Sequence, residues 1–319
     1  MLKFVVFSII VCILYALLKY RRAQVFEKFT TNSSTESSET YNGMYSELYD
    51  TIWNDEERYE AEAEYISKNI RGRPRNILDL GCGTGNHIKY WAKMWPNANI
   101  TGMDLSIDQI SKARHKHPGV NIIQGDLLNP GNWGDDTFDM VACMYEAGQY
   151  TDDTLTLFRN VFNWLRPGGT FIFHGIDPNR LCDGCDQTAS NTDLQFRSND
   201  KGHCVVLYPG LVYSSWWTRS FSSNWVRYNE VFMEIDDDNW PFDWDISKNV
   251  GTNVPIGMKS HAKLKKTKTN GHRLYLLNPA KIAQIGLDAG FMKAVKNPPE
   301  DIDLIRNQGS EEYMLFFEK

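Results

Sequence analysis

The sequence has few cysteines and no excess of positive charge, and both shortages limit what the protein can be. Six cysteines in 319 residues do not suggest a disulfide scaffold. Cys12, Cys82 and Cys143 lie in apolar or glycine-rich surroundings that are typical of buried thiols. The formal net charge is −6, whereas proteins that bind phosphate backbones are usually basic. Nucleic acid is therefore not an expected partner, and the sequence does not indicate an oligomeric state.

Charge is also missing from residues 4–18, and a basic cluster at residues 19–22 follows at once. The apolar stretch approaches the roughly 20 residues that span a bilayer. A cleaved signal peptide and a buried core helix are the alternatives, but a small-residue cleavage site and a polar face are both missing. We predict a single-pass membrane anchor over residues 1–22, with the domain that follows in the cytoplasm. Residues 23–43 are predicted as a flexible linker, and residues 44–319 as the folded domain.

Helical and strand patterns alternate from residue 44 to residue 175. A helical pattern covers residues 44–70, and an aromatic row within and just before it either packs on the sheet or closes over a ligand. That row contains Tyr41, Tyr45, Tyr49 and Trp53. Strands that alternate with helices predict a parallel sheet covered on both faces. In such sheets, ligands bind at the carboxyl ends of the strands.

Residues 177–275 lack any long helical run. Their aromatic and β-branched stretches are separated by turn residues, which predicts an inserted antiparallel sheet. Its tryptophans and Tyr228 either cover the ligand pocket or fill the core of the insert; the tryptophans are Trp216, Trp217, Trp225, Trp240 and Trp244. Pro279 and Gly290 then mark the two ends of a predicted helix, and a final strand is predicted at residues 313–317.

The segment Asp79–Gly85 contains a glycine loop, and its sequence favours one of two candidate cofactors. Dinucleotide-binding folds place their third glycine three residues after the second, but Asn86 occupies that position here. Asp79 precedes the glycines, where a carboxylate would repel a pyrophosphate but attract an ammonium and a sulfonium. S-adenosylmethionine is therefore the preferred cofactor, and NAD in an oxidoreductase is the alternative.

Asp79–Gly85 also resembles the first motif of class I S-adenosylmethionine-dependent methyltransferases. Asp104-Leu105-Ser106 and Gly125-Asp126-Leu127 resemble their second and third motifs, and Leu165–Gly169 resembles the turn before their fifth strand. The resemblance implies a Rossmann-like α/β fold with a mostly parallel sheet and an antiparallel last strand. It also implies a cofactor site made of Asp79, Gly81, Cys82, Gly83, Asp104, Leu105, Asp126, Leu127, Met144 and Tyr145.

Within that family, the chain is similar to small-molecule N-methyltransferases that act on amino sugars. The spacing from Tyr41 to Tyr49-Asp50 and the segment Cys143–Tyr145 carry this likeness. It implies that Tyr41 reaches over the active site. Gln149 stands where these enzymes often have a histidine, and glutamine cannot act as a base.

The predicted acceptor is a small polar molecule with an amine or a hydroxyl, and Glu146 and His174 are candidate bases near strand ends. A protein or RNA acceptor, and a catalytically silent binding protein, are the alternatives. Cys182 and Cys185 lack the second spaced pair that a zinc site needs, so no metal is predicted. The basic run at residues 259–268, with His272 and Arg273, is predicted to be a solvated face or a contact with an anionic membrane.

Overall fold

The computed structural model describes residues 41–53, 55–179, 195–197, 204–208, 211–219, 224–235, 264–296 and 312–319. The predicted anchor at residues 1–22 and most of the predicted linker lie outside these ranges. Within them, no helix is both long and apolar enough to cross a bilayer. Cys182, Cys185, Trp240 and Trp244 also lie outside the described residues, so the predictions made for them stay predictions.

Two helices occupy the segment for which the sequence predicted one continuous helical pattern. Helix α1 covers Met44–Ile52 and helix α2 covers Glu56–Asn69. The break occurs because the Asp55 side chain accepts a hydrogen bond from the backbone N–H of Arg58 and so caps a new helix. The chain can therefore turn at Trp53, and α1 and α2 contribute separately to the site.

The main sheet has seven strands in the order β11-β12-β5-β4-β1-β2-β3. Their bounds are β1 Asn76–Leu80, β2 Asn99–Asp104, β3 Asn121–Gln124, β4 Phe138–Cys143, β5 Leu165–Ile176, β11 Lys293–Lys296 and β12 Glu312–Glu318. Strands β1 to β5 are parallel, and β12 pairs antiparallel with both β5 and β11. The predicted class I methyltransferase sheet, with its antiparallel last strand, is confirmed.

Four further helices follow the strands, and side chains at their ends explain where they begin and end. They are α3 Asn86–Met94, α4 Ile107–Lys116, α5 Thr154–Trp164 and α6 Pro279–Ala289. Ser106 caps α4 by accepting from the N–H of Gln109. Pro279 begins α6, and Gly290 ends it in the left-handed region with a φ of 113°. The predicted bounds of α6 are confirmed.

Two hydrophobic layers hold the sheet, one on each face. Successive residues of a strand point to opposite faces, so Ile77 packs in one layer with Trp91 and Leu78 packs in the other with Phe158. All four side chains are fully buried. These layers fix the positions of the strand ends, from which the site is built.

A second, five-stranded antiparallel sheet has the order β10-β9-β8-β7-β6. Its strands are β6 Gln195–Arg197, β7 Cys204–Tyr208, β8 Leu211–Arg219, β9 Trp225–Ile235 and β10 Leu264–Tyr275. The predicted inserted sheet is confirmed, although β6 and, in the main sheet, β11 were not predicted. Tyr213, Glu230 and His272 are buried, so the prediction that His272 belongs to a solvated basic face is wrong.

Candidate active site

A cavity of about 290 Å³ opens at the carboxyl ends of the parallel strands β1 to β4. Its volume lies near the lower end of the range for small-molecule sites. All ten residues that the resemblance assigned to the cofactor line this cavity, and Tyr41 lines it as well. The two other predicted catalytic residues, Glu146 and His174, are not among its lining residues.

The glycine loop after β1 is held against the end of β2. The N–H groups of Gly81 and Cys82 both donate to the Met103 carbonyl, at 2.7 and 2.9 Å. Gly81 and Gly83 have φ values of 75° and 55°, in the left-handed region that favours glycine. A Cβ on Gly81 would overlap the Cβ of Ala147, so the loop can approach the segment after β4 only because Gly81 has no side chain.

Asp104, at the end of β2, fixes the loop by accepting from two backbone groups. Its Oδ2 accepts from the N–H of Gly83 and its Oδ1 accepts from the N–H of Ser106, both at 2.8 Å. Burial raises the pKa of Asp104, and these backbone donors oppose that shift. The carboxylate therefore joins the glycine loop to the start of α4, at the wall of the cavity.

Asp79 is the most deeply buried carboxyl group of the cavity, with 2% of the residue exposed. Burial raises its pKa to about 6, although the indole N–H of Trp91 donates to it at 3.2 Å and His87 lies near. A cation placed beside this carboxylate would offset the cost of its burial. Asp79 is therefore suited to bind a positively charged ligand group.

The rim of the cavity combines one acid with apolar side chains. Asp126 is exposed, and its Oδ1 accepts from the N–H of Leu128 at 2.9 Å. Leu105 is 49% exposed and Leu127 is half-buried, and both line the cavity. This arrangement can hold a flat, partly apolar group that also presents a hydrogen-bond donor.

The segment after β4 has an unusual backbone. Tyr145 and Glu146 are successive non-glycine residues in the left-handed region, with φ values of 47° and 61°. Such conformations cost free energy and persist where the surroundings determine them. The Tyr145 N–H donates to Nδ1 of His174 at 3.2 Å, and its hydroxyl donates to Glu62 at 3.0 Å. These bonds hold Tyr145 at the cavity.

A buried ionic network supports that segment, and we call it the Arg58 network. Arg58 donates to Glu62 and to Glu312, both at 2.9 Å, and its guanidinium lies 4.2 Å from the ring centroid of Tyr145. Glu62 also lies 2.9 Å from Nε2 of His87. Burial alone would raise the pKa of Glu62, but Arg58 and His87 hold it well below the usual range.

His174 belongs to the Arg58 network rather than to the cavity wall. Its Nε2 lies 2.7 Å from Glu312, and its Nδ1 accepts from Tyr145. Both ring nitrogens are therefore engaged, which favours a positioning role over the predicted role of a base. Gln149 is likewise engaged, because its side-chain amide bonds the backbone of Ile176 in both directions.

Glu146 lies beside the cavity, where its charge contributes to raising the pKa of Tyr41, Tyr49 and Tyr150, each of which burial raises first. Its predicted role as a base stays a prediction.

The aromatic row in and beside α1 contributes both to the protein interior and to the wall of the cavity. Tyr41 and Tyr49 line the cavity, whereas Tyr45 is buried behind them at ring-centroid distances of 5.2 and 6.1 Å. The end of the predicted linker thus contributes Tyr41 to the site, and the Ser106 hydroxyl donates to the Tyr41 carbonyl at 3.0 Å. Both interpretations of the row therefore apply.

Several lining residues were not predicted to belong to the site: Tyr59, Asn86, His87, Ser106, Leu128, Ala147, Tyr150 and Thr151. Ser106 could have been found as the last residue of the second motif. Tyr150 follows Gln149 directly, in a segment that the sequence analysis examined only for a base.

Residues 77–169 match a family model described as a methyltransferase domain. The chain is 29% identical over 115 residues to trans-aconitate 2-methyltransferase of Rhodopseudomonas palustris (strain BisA53), covering 36% of this chain and 44% of that protein. It is 27% identical over 168 residues to phosphoethanolamine N-methyltransferase 1 of Triticum aestivum, covering 51% of this chain and 32% of that protein. The chain thus spans less than half the length of these two relatives.

Two solved structures share the fold over most of their length. DesVI of Streptomyces venezuelae has a TM-score of 0.60 at 20% identity, covering 86% of this chain and 98% of that one. CalS10, described as an amino pentose methyltransferase from Micromonospora echinaspora, has a TM-score of 0.60 at 18% identity, covering 90% and 99%. Residues 77–169 thus match a methyltransferase domain, within a fold that this chain shares with DesVI and CalS10.

Proposed function

We propose that the protein transfers a methyl group from S-adenosylmethionine to an amine or hydroxyl of a small polar molecule. The observation that carries this proposal is the cavity at the carboxyl ends of β1 to β4, which combines a glycine loop with Asp79, Asp104, Tyr41 and Tyr49. Binding sites of parallel sheets are expected at this edge.

The residues of the cavity fit this cofactor in charge and shape. Asp79, buried beside only one side-chain donor among the described residues, suits the cofactor's positively charged groups. Asp104 is suited to accept from the ribose hydroxyls, with Leu105 against the adenine. Asp126 and Leu127 form the polar and apolar parts of the rim for the adenine. Met144 and Tyr145 then lie near the methyl group.

The bound cofactor supplies a methyl group on a positively charged sulfur, which is already activated for displacement. The work left to the protein is to orient the acceptor, to exclude water and to remove a proton where the acceptor carries one. Tyr41 and Tyr49 support the first two tasks, because they close the cavity on the side of α1.

The charges around the cavity favour an amine or a hydroxyl over an anionic acceptor. No lysine or arginine lines the cavity among the described residues, whereas three aspartates do. An acid such as trans-aconitate, or a phosphate ester such as phosphoethanolamine, would lack a cationic partner there. The amino pentose named for CalS10 has no such requirement, so an amino sugar or a similar amine is the class supported best.

The cofactor is tested by calorimetry on the full chain with S-adenosylmethionine. We expect Asp104→Asn to weaken binding by about 10-fold or more, since hydrogen bonds to a charged group contribute about 1.5–3 kcal/mol. Asp139→Asn is the matched control, because Asp139 also accepts from two backbone N–H groups but lies at the opposite end of the sheet. Unchanged affinity in Asp104→Asn would contradict the assignment of Asp104.

The acceptor is tested by following S-adenosylhomocysteine formation with a panel of amino sugars, small alkylamines, polyols and dicarboxylic acids. We expect turnover with an amine or a hydroxyl compound and none with the acids. Turnover confined to the acids would overturn the proposed acceptor class. Methylation only of peptides or RNA would favour the macromolecular alternative, and tight cofactor binding without any turnover would favour a binding protein.

A further inference from the structure

A buried carboxylate lies behind the cavity, on the inserted sheet. Glu230 of β9 has no exposed surface, and four side chains bond its two oxygens. Tyr213 and Tyr45 donate to Oε1 at 2.7 and 3.2 Å, and His272 and Asn270 lie at 2.6 and 3.1 Å from Oε2. Four neighbours that can all donate match the lone pairs of an ionised carboxylate. Glu230 therefore carries a negative charge inside the protein.

His272 of β10 connects this carboxylate to the side of the cavity. Because Nε2 faces the ionised Glu230, it carries the proton of the neutral ring. Nδ1 is then an acceptor, and the Tyr150 hydroxyl lies 2.6 Å from it. The hydroxyl therefore donates to Nδ1, and the imidazole stands ready to take a second proton.

The path continues into the cavity through two phenols. The hydroxyls of Tyr150 and Tyr41 lie 2.7 Å apart, and both residues line the cavity. Since Tyr150 donates to His272, it accepts from Tyr41. The oxygen of Tyr41 then has a lone pair for a donor within the cavity. An unbroken chain of three short contacts thus runs from the cavity to Glu230.

We propose that this chain, Tyr41–Tyr150–His272–Glu230, receives the proton that the methyl acceptor must lose. The inference rests on the proposed function and assigns it a proton acceptor. An N–H or O–H bond of the acceptor breaks and its electron pair stays on that atom. The proton goes to Tyr41, the Tyr41 proton goes to Tyr150, and the Tyr150 proton goes to Nδ1 of His272. One proton has then moved, and His272 is an imidazolium beside Glu230.

The charges favour this direction of transfer. The only ion pair that Glu230 forms within the described residues is with His272, so its buried charge gains a counter-ion when the ring is protonated. Burial raises the pKa of both Tyr41 and Tyr150 well above the ordinary value. The phenols therefore stay neutral and pass a proton on instead of storing a charge.

The titratable groups around His272 come from every element packed on it. Glu230 and Tyr228 belong to β9, Tyr45 to α1, Tyr150 follows β4, and Tyr41 precedes α1. All except Glu230 are phenols, so Glu230 is the one carboxyl group among these described neighbours.

The first experiment measures the protonation of His272 by nitrogen NMR of the full chain with labelled histidine. His272→Gln identifies the signals. We expect Nδ1 to be unprotonated and Nε2 protonated at neutral pH. A neutral ring protonated on Nδ1, or a ring doubly protonated throughout, would overturn the proposal.

The second experiment follows turnover against pH with any acceptor found in the panel. Tyr150→Phe breaks the path, and we expect kcat to fall by about 100-fold or more with the KM of the acceptor little changed. The loss should shrink as pH rises, since solvent then takes the proton. Tyr213→Phe is the matched control, because it also removes one phenol hydroxyl, here one that donates to Glu230, without interrupting the path.

If Tyr150→Phe and Tyr213→Phe changed the pH profile equally, these hydrogen-bonded residues would have only a structural role, and the inference would be overturned. Absence of turnover in the wild type, with the cofactor bound, would contradict the proposed acceptor class instead. The NMR measurement then decides the inference by itself.

Discussion

Asp79 is a carboxyl group whose burial opposes folding until a cation binds. Its pKa of about 6, against an ordinary value of 3.8, means that the folded state holds a proton more tightly than the unfolded state. The folded protein therefore loses stability as pH rises from about 4 to about 6, by about 3 kcal/mol in total. Above pH 6 the site holds a buried charge that a positively charged ligand group can pair.

We predict that Asp79→Asn stabilises the ligand-free protein at about pH 8 by up to about 3 kcal/mol, since it removes a buried charge. The gain should disappear near pH 3, below both the ordinary and the folded-state pKa, where both states of the wild type are largely protonated. Chemical unfolding at the two pH values measures this difference. The same variant should bind S-adenosylmethionine more weakly, and an equal effect on stability at both pH values would contradict the explanation.

Residue positions at the cavity were predictable where a motif fixes the backbone. All ten predicted cofactor residues line one cavity because the end of each parallel strand determines where the next residue lies. Tyr150, His272 and Glu230 could not be found in this way, because they meet only through the packing of the inserted sheet on the first one. In the sequence, His272 stands beside Arg273 in a basic region, and nothing there indicates a buried carboxylate 42 residues earlier.

At the scale of elements, the glycine loop depends on two glycines for different reasons. Position 81 requires glycine both for its left-handed backbone and because a side chain there would overlap Ala147. A Cβ on Gly83, in contrast, would lie 3.8 Å from the nearest atom. We predict that Gly83→Ala costs about 1–2 kcal/mol of stability for the left-handed backbone. Gly81→Ala should cost about 2–5 kcal/mol, since overpacking adds to the same strain. Thermal unfolding measures both, and equal losses would contradict the predicted overlap with Ala147.

The Arg58 network joins α2 to β5, β12 and the segment after β4. We predict that Arg58→Met destabilises the protein by about 3–5 kcal/mol, because the buried Glu62 and the partly buried Glu312 then lose the guanidinium that pairs with both. Lys89→Met is the control, since the ion pair of Lys89 with Glu56 is mostly exposed and should contribute little. Denaturant unfolding compares them.

The penalty in Arg58→Met should also shrink at acid pH. Because the pKa of Glu62 is lowered in the folded state, ionised Glu62 stabilises the fold at any pH above its unfolded-state pKa. This stabilisation is lost as pH falls towards the lower folded-state pKa. A variant that is as stable as the Lys89→Met control would contradict this role of Arg58.

Most helices and strands could be predicted from the periodic spacing of apolar residues and from turn residues. The exceptions have physical causes. The helical pattern of residues 44–70 hides the break at Asp55, because a cap is a local choice that amphipathic spacing does not show. Strands β6 and β11 have three and four residues, too few for a period, and they form only by pairing with the edge of an existing sheet.

For the whole molecule, the anchor at residues 1–22 and the cytoplasmic position of the domain stay proposals from the sequence. We predict that Ile10→Lys with Ile13→Lys moves the full chain from the membrane fraction to the soluble fraction, since each charge at the centre of a span costs about 2.5–3.5 kcal/mol. Ser33→Lys with Ser37→Lys adds the same charge within the predicted linker and should leave the distribution unchanged. Fractionation that does not respond to the first pair would contradict the anchor.

Glu312 has a consequence for how the protein is made. It follows Arg58 by 254 residues, yet it bonds both Arg58 and the His174 that holds Tyr145. On the ribosome, the glycine loop and its aspartates are synthesised early, but the carboxylate that completes the support of Tyr145 emerges only with β12. A nascent chain that stops before β12 therefore contains every predicted cofactor residue without the support that holds Tyr145 in place. The support that holds Tyr145 at the cavity is therefore completed only when β12 has been synthesised.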